Sequence, residues 1–174
     1  MKRLFIAAPI SEDLRTRIKE IEQRTHLSIP WIPLENLHLT LLFLGDIEEV
    51  LVPHIQNALQ IFKADAFSVS ATHVDYSPNQ YMVWLYINQD KNFQQLLMQL
   101  DKMLYEHNIK YEKSRHPFVP HINLVRLNHE MNIPVEHTVN IPIDINELCL
   151  FESILQRPFV SYVKLGNVLL QKAS

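Results

Sequence analysis

Glycine is scarce in this sequence, and its scarcity excludes whole classes of phosphate-binding site. Only two glycines, Gly45 and Gly166, occur among the 174 residues. The Walker and dinucleotide-binding loops both need several glycines, because the backbone itself must approach the phosphate closely. Any phosphate chemistry in this chain must therefore depend on side chains.

Cysteine and long apolar runs are nearly absent as well. The single cysteine, Cys149, excludes an intramolecular disulfide, and its neighbours Leu148 and Leu150 predict a buried strand thiol rather than a nucleophile. No apolar run approaches the roughly 20 residues that a membrane-spanning helix needs. The N-terminal MKRLFIAAPI is interrupted by Pro9 too early for a signal peptide. We expect a cytoplasmic protein without a membrane partner.

An excess of basic charge is also missing. Lysine and arginine number 16 against 19 acidic residues, which gives a formal net charge of −3. Proteins that hold long nucleic-acid duplexes neutralise many phosphates and are usually basic. Any contact with nucleic acid should therefore be small and local. The length and the hydrophobic fraction of 47% predict one compact unit over residues 1–174, with either one core or two small lobes that share one. We expect it to be a monomer.

The hydrophobic patterns predict an α+β fold with largely antiparallel sheets. Three amphipathic helices are expected: one capped by Ser11, one that begins near Pro53, and one from about 92 to 107. Period-two alternation and apolar runs predict strands in seven places, at 4–8, 37–44, 67–72, 82–87, 119–127, 143–152 and 159–165.

Two short segments in opposite halves of the chain share one pattern. HLTLLFLG begins at His38 and HINLVRLN begins at His121, 83 positions later in a chain of 174. Alternate side chains of a strand share a face, so Thr40 lies beside His38 and Asn123 lies beside His121. We therefore expect a duplicated lobe, with each half of the chain contributing one such strand to a shared cleft.

Two facing histidines are suited to acid/base catalysis on a phosphodiester. Imidazole titrates near neutrality, so one ring can donate a proton while the other accepts one. The side chains of Thr40 and Asn123 would hold non-bridging phosphate oxygens and stabilise the charge of the transition state. A lone His-x-Thr is more often a polar pair on a half-buried strand. The second copy, at half-chain spacing, favours a functional interpretation.

A metal site fits the sequence less well. The two segments supply only two good ligands, and neither a cysteine nor an acidic residue accompanies them. The other seven histidines are scattered without ligand spacing, although His116 lies close enough to His121 to line the site. Arg115 flanks the second motif and either contacts substrate or is a surface residue. We expect neither a metal nor a cofactor.

Four segments, FIAAPISEDLR, WIPLENLHLTLLFLG, RHPFVPHINLVRL and LCLFESIL, resemble those of the RNA 2′,3′-cyclic phosphodiesterases. These enzymes are also called 2′-5′ RNA ligases and belong to the two-histidine phosphoesterase superfamily. The resemblance runs from about Leu4 to about Leu165. It implies a bilobal duplicated fold in which two mainly antiparallel sheets line a central cleft and helices pack outside. It also implies metal-free opening of 2′,3′-cyclic phosphates on RNA or oligonucleotide ends to 2′-phosphomonoesters, with reversible 2′-5′ ligation.

The resemblance also implies a role for each motif residue. His38 would give a proton to the leaving 3′ oxygen, and His121 would accept one from water. The chain departs from the family at Asn123, where threonine or serine is usual, although an amide still donates. Arg126 matches an arginine that closes the second motif and would bind phosphate. Strict alternation turns it away from His121, so a bulge or the strand end must redirect it. Phe43, at the equivalent place, either stacks on a base or packs in the core.

Two alternatives remain open. The first is an enzyme that cleaves another small phosphodiester, such as a 2′-5′ oligoadenylate or a cyclic nucleotide derivative. The second is a non-catalytic module that binds nucleotides or RNA ends, in which Asn123 reflects lost catalysis. Retention of both histidines favours an enzyme.

Overall fold

Two four-stranded antiparallel sheets and three helices make up the computed structural model, which describes residues 1–25, 29–77, 80–111, 117–128, 137–156 and 159–172. The strands are β1 Lys2–Pro9, β2 His38–Ile47, β3 Phe67–Ser77, β4 Met82–Ile87, β5 His121–Arg126, β6 His137–Ile145, β7 Glu147–Gln156 and β8 Phe159–Leu169. The helices are α1 Glu12–Thr25, α2 Val52–Ile61 and α3 Lys91–Glu106.

Both sheets are built on one plan. The first has the strand order β2-β1-β7-β8 and the second has the order β5-β4-β3-β6. In each sheet the strand that begins with a motif histidine lies at the edge. This edge strand pairs with the strand before it in the chain, and one α-helix lies between the two in sequence. The order is β1–α1–β2 in the first sheet and β4–α3–β5 in the second. The predicted α+β, duplicated, two-lobed architecture is confirmed.

The helices begin where their sequence signals place them. The Ser11 hydroxyl accepts a hydrogen bond from the Leu14 backbone N–H at 3.2 Å, and α1 buries the predicted apolar face. Asp90 caps α3 in the same way, with its carboxylate 2.8 Å from the Phe93 nitrogen. Pro53 lies in the first turn of α2, where its missing N–H is not needed.

The motif strands are backed by a fully buried core. Leu39 and Leu41 behind the first histidine, and Ile122 and Leu124 behind the second, are all 0% exposed. They belong to a hydrophobic cluster that includes side chains from both sheets and all three helices. Because close-packed side chains leave little room for movement, this backing makes both motif strands rigid supports.

One predicted strand is wrong. The run 143–152 is not continuous, since it spans the end of β6 and the beginning of β7, which lie in different sheets. The chain crosses at Asn146, whose carbonyl accepts a hydrogen bond from the Leu170 nitrogen at 2.9 Å. Neither glycine nor proline marks this crossing, so the sequence lacks the usual turn signal. In addition, β3 and β8 extend beyond their predicted ends.

The structure confirms the buried position predicted for Cys149. Cys149 is 1% exposed, as predicted from its apolar neighbours. Within the described ranges, no helix combines the length and the apolar character needed to cross a membrane.

The two sheets are joined beside the motif strands. Trp31 forms an isolated antiparallel bridge with Val125 of β5, and the Ile32 nitrogen donates to the Leu124 carbonyl at 2.8 Å. A 3-10 turn, Leu34–Asn36, then leads directly into His38. The segment that enters the first motif is therefore hydrogen-bonded to the strand that carries the second.

Candidate active site

The same irregularity occurs in both motif strands. The fourth motif residue of β2, Leu41, has no partner in the register with β1, although its neighbours pair with consecutive residues. Leu124 of β5 is skipped in the same way against β4. A one-residue bulge resets the alternation of side chains. Two residues after each skipped leucine, Phe43 and Arg126 therefore lie on the face that carries the histidines.

These bulges resolve two questions raised by the sequence. The irregularity needed to turn Arg126 toward the face of His121 is present, and the Arg126 side chain is exposed. Phe43 is 59% exposed, which excludes the alternative that it packs in the core. Both side chains are therefore available to a ligand.

Each catalytic candidate is held by its own backbone. His38 Nδ1 lies 2.8 Å from the Asn36 carbonyl oxygen, and His121 Nδ1 lies 2.7 Å from that of Val119. Because a carbonyl oxygen only accepts, Nδ1 carries the proton in both rings. The Nε2 atom of each histidine is thereby left free for proton transfer.

Aromatic side chains of the first sheet surround His38. The Phe5 ring lies 4.9 Å from the imidazole, the Tyr162 ring meets it edge-on at 4.9 Å, and the Phe151 ring lies at 6.1 Å. No sequence signal distinguished these residues from ordinary strand residues. They gather around His38 only because β1, β7 and β8 pair in register.

Burial lowers the pKa of both histidines below the ordinary imidazole value. For His38, burial is the largest cause, the hydrogen bond to Asn36 opposes it, and the charge of His121 lowers the pKa further. For His121, burial is again the largest cause and the hydrogen bond to Val119 opposes it. The charge of His121 thus acts on His38 from the other sheet, in the direction expected for two imidazoles that repel each other as cations.

His121 has a different neighbour on its own sheet. The Trp84 indole stacks on the imidazole with ring centroids 3.8 Å apart and an interplanar angle of 19°. Trp84 in turn meets Tyr86 edge-on at 5.5 Å. The sequence placed Trp84 in a strand but gave no indication that it touches the second motif. Only the pairing of β4 with β5 reveals that contact.

The two polar motif residues occupy equivalent places beside the histidines. Thr40 is 7% exposed, and its side chain shares a face with His38. Asn123 is half-buried, and its Oδ1 atom is buried without a hydrogen-bond partner in the described part of the chain. The oxygen end of this amide thus lies inward.

The charge of Arg126, on β5 of the second sheet, acts on a tyrosine of the first sheet. Burial raises the pKa of the Tyr162 hydroxyl, while the positive charges of Arg126 and Arg3 lower it. Tyr162 lies on β8 of the first sheet and also contacts His38. Arg126 therefore supplies a positive charge whose effect reaches a residue that contacts His38.

Among the described residues, no cluster of three or more His, Cys, Asp or Glu is arranged to hold a metal ion. Arg115 and His116, which the sequence placed near the second motif, lie outside the described residues.

Comparison with known sequences agrees with this geometry. The family profile described as "LigT like Phosphoesterase" matches residues 4–84, which include the first motif. An RNA 2′,3′-cyclic phosphodiesterase of Thermus thermophilus is 30% identical over 134 residues, covering 71% of this chain and 68% of the relative. The chain belongs to the LigT-like phosphoesterase family. Another relative, the RNA 2′,3′-cyclic phosphodiesterase of Thermotoga maritima, is 26% identical over 135 residues, covering 73% of this chain and 71% of that protein.

Solved structures agree with the LigT-like fold over almost the whole chain. A protein of Thermus thermophilus superposes with a TM-score of 0.84 at 23% identity, covering 99% of this chain and 100% of that one. Escherichia coli LigT complexed with 3′-AMP superposes with a TM-score of 0.81 at 22% identity, covering 98% and 99%. The family recognised from the sequence is confirmed, and this LigT-like protein is an enzyme acting on phosphoesters.

Proposed function

We propose that this LigT-like phosphoesterase hydrolyses the 2′,3′-cyclic phosphate at RNA or oligonucleotide ends and releases a 2′-phosphomonoester. The observation that carries the proposal is the pair of histidines, each with Nδ1 held by a carbonyl and Nε2 free, with the charge of His121 lowering the pKa of His38. The names of the Thermus and Thermotoga relatives support the substrate class. The net charge of −3 suits a short RNA end better than a long duplex.

The reaction needs one proton acceptor and one proton donor. His121 Nε2 takes a proton from water, whose oxygen forms a bond to phosphorus. The bond from phosphorus to the 3′ oxygen breaks, and His38 supplies the proton that this oxygen requires. The phosphate remains on the 2′ oxygen, and each histidine ends in the protonation state from which the other began.

Three side chains stabilise the charge that develops on phosphate. The Thr40 hydroxyl and the Asn123 amide NH2 each donate to a non-bridging oxygen from fixed strand positions. Arg126 adds a cation that stays protonated throughout the reaction. These groups divide between the two sheets, so the phosphate binds where the sheets meet.

The nucleoside has an aromatic surface beside the first motif. Phe43 is exposed, and its ring is supported from behind by buried Phe5 at 5.9 Å. A supported exposed ring gives a nucleobase a flat face for stacking without requiring a particular base. The 3′-AMP complex of Escherichia coli LigT supports the entry of a nucleotide into this fold.

The same chemistry accommodates a second nucleophile. A 5′-hydroxyl of another RNA in place of water would lose its proton to His121 and join the 2′-phosphate, giving a 2′-5′ linkage. The reverse reaction uses the same two histidines with their roles exchanged. We therefore include reversible 2′-5′ ligation as a secondary activity.

Product analysis tests this proposal. Adenosine 2′,3′-cyclic monophosphate and a short RNA with a cyclic end should both yield the 2′-phosphate, separated chromatographically from the 3′ isomer. His54→Ala, which removes an exposed histidine on α2, is the matched control for His38→Ala and His121→Ala. A 3′-phosphate product would contradict the role of His38. Turnover of 2′-5′ dinucleotides alone would indicate another diesterase, and binding without turnover would indicate a non-catalytic module.

Chelation tests the metal-free mechanism separately. We expect turnover to continue in excess EDTA, because His38 and His121 supply both proton transfers and Arg126 supplies the positive charge. Loss of activity that is restored by a divalent cation would overturn this part of the proposal. The comparison requires the same enzyme preparation before and after chelation.

A further inference from the structure

Trp84 touches one functional group of the second motif and adjoins another. Its indole stacks on His121 at 3.8 Å, and its backbone pairs directly with Asn123. Directly paired residues project from the same face of a sheet, with Cβ atoms about 4.5–5.5 Å apart. Trp84 is therefore placed to act on both the histidine and the amide.

This cross-strand pair contains two complementary polar atoms without partners. Trp84 Nε1 and Asn123 Oδ1 are both buried, and neither has a hydrogen-bond partner in the portion of the chain that the structure describes. An indole nitrogen only donates, whereas an amide oxygen only accepts. A buried donor and a buried acceptor left unpaired are both unfavourable, so joining them removes two penalties at once.

We propose that Trp84 is a positioning residue for the second motif, whose indole N–H donates to Asn123 Oδ1 when phosphate binds and thereby points the amide NH2 at the phosphate. The inference rests on the proposed function, because it assumes that Asn123 holds a phosphate oxygen. It adds a residue outside both motifs to the phosphate site.

The need for such a residue follows from the chemistry of the amide. A threonine or serine hydroxyl rotates and both donates and accepts, so it adjusts to an anion by itself. An amide has a donor end and an acceptor end, and its oxygen would repel phosphate. Asn123 serves as a donor only while its oxygen is held inward, where Trp84 offers a matching N–H.

The indole ring also affects proton transfer. His121 becomes a cation when it takes the proton of water, and a cation over an indole face is stabilised. Among the described residues, the titratable groups that act on or pair with His121 are His38, from the first sheet, and Tyr86, its register partner in β4. Loss of the ring should therefore lower kcat, whereas loss of the N–H alone should affect phosphate binding.

Steady-state kinetics with adenosine 2′,3′-cyclic monophosphate test the hydrogen bond. Trp84→Phe keeps a ring on His121 and removes the N–H, so KM should rise about 3- to 10-fold, the size of one hydrogen bond. In an Asn123→Thr background, Trp84→Phe should change KM by about twofold or less, because a hydroxyl needs no orientation. Equal increases in both backgrounds would overturn the proposal. Trp84→Leu should lower kcat as well.

Trp31 supplies a matched control. Its Nε1 atom is also buried without a partner among the described residues, and it bridges to β5 at Val125 rather than at Asn123. Trp31→Phe should leave KM unchanged in both backgrounds. If Trp31→Phe reproduces the background-dependent increase and Trp84→Phe does not, the donor is misassigned.

A measurement without turnover separates this inference from the proposed function. In ¹⁵N NMR, the Trp84 indole proton should move downfield on titration with 2′-AMP or inorganic phosphate, and the shift should disappear in Asn123→Ala. An indole signal that stays unchanged at saturation would overturn the inference. If the wild-type enzyme fails to open the cyclic nucleotide, the proposed function fails while this titration still reports on Trp84.

Discussion

The first motif strand holds His38 among the rings of Phe5, Tyr162 and Phe151, whereas the second holds His121 against the indole of Trp84. The two strands otherwise share their backbone plan. In both, the histidine bonds to the carbonyl two residues earlier, and a bulge follows at the fourth motif residue. Duplication therefore gives two similar strands whose histidines have different neighbours, and we expect this difference to separate the proposed acid from the proposed base.

The residues that pair with the small polar motif residues also differ between the two sheets. Thr40 pairs with Ala7 of β1, whereas Asn123 pairs with Trp84 of β4. After the bulges, one half exposes a phenylalanine and the other an arginine. The first half thus offers an apolar surface, while the second offers charge and oriented hydrogen bonds. Under the proposed function, the nucleobase would contact the first sheet and the phosphate would contact both sheets.

The largest expected effect comes from removing either histidine. His38→Ala and His121→Ala should each lower kcat by about 10²–10⁴, because each removes one proton transfer. The double variant should fall far short of the product of the two losses, since both groups act in one transition state. Turnover of a 2′,3′-cyclic nucleotide measures this, with circular dichroism to verify folding. A folded His121→Ala enzyme with near wild-type turnover would refute the two-histidine mechanism.

The residues after the bulges should separate phosphate binding from base binding. Arg126→Ala should raise KM about 10- to 100-fold for every cyclic nucleotide, because it removes a charged hydrogen bond to phosphate. Phe43→Ala should raise KM by about 5- to 50-fold for nucleotides, the range of one stacking contact.

A substrate without a base distinguishes the two residues. For ribose 2′,3′-cyclic phosphate, Arg126→Ala should retain its full effect and Phe43→Ala should lose most of its effect. Arg17→Ala, an exposed arginine on α1, serves as the control for loss of positive charge. An equal response of Arg126→Ala and Phe43→Ala to both substrates would contradict the division between the sheets.

The sequence predicted the motif residues of the site better than the side chains that contact them. The histidines and their small polar neighbours follow from the period-two pattern of two short segments, so His38 and His121 could be predicted locally. The turning of Arg126 was expected only from the family resemblance, which required a bulge or a strand end. Trp84, Tyr162 and the other contacting rings could not, because they arrive through strand pairings between distant parts of the chain. The break at Asn146 was missed for a related reason. An uninterrupted apolar run does not reveal that its two ends belong to different sheets.

The acidity of the two histidines should shape the pH profile. His121 must be neutral and His38 protonated, so kcat/KM should be bell-shaped, falling at low pH as His121 is protonated and at high pH as His38 loses its proton. Burial lowers the pKa of both, so both limbs should lie on the acid side of an ordinary histidine. A bound phosphate anion favours both charged forms, so the kcat profile should lie at higher pH. Limbs of the kcat/KM profile at or above the ordinary pKa of histidine would contradict this prediction.

Coupling between the histidines can be measured directly. The charge of His121 contributes to the lowered pKa of His38. In His121→Asn, the pKa of His38 should therefore rise when followed by NMR titration, although burial should still keep it below the ordinary value. His54→Ala should leave it unchanged. An unchanged His38 pKa in His121→Asn would indicate that the rings do not interact.

The smallest expected effect concerns a second bulge, which β2 has and β5 lacks. After Phe43 the register of β2 skips Leu44, and Gly45 follows with φ +74°. An L side chain at this φ costs about 1 kcal/mol. A Cβ added to Gly45 meets nothing within 4 Å, so Gly45→Ala should lower the free energy of unfolding by only that amount, measured by urea denaturation.

Gly166 provides the comparison that isolates backbone strain at the second bulge. A Cβ at Gly166 would make an ordinary 3.8 Å contact with Gln56, so Gly166→Ala should be neutral or slightly stabilising. Gly45→Asn should lose less stability than Gly45→Ala, because asparagine enters the left-handed region more readily. Turnover at saturating substrate should remain near wild type in all three, since the first bulge and the core behind His38 are unchanged. If Gly45→Ala and Gly166→Ala unfold at the same urea concentration, the positive φ at Gly45 is not a constraint. The additional bulge would then be a consequence of the sequence around it rather than of glycine.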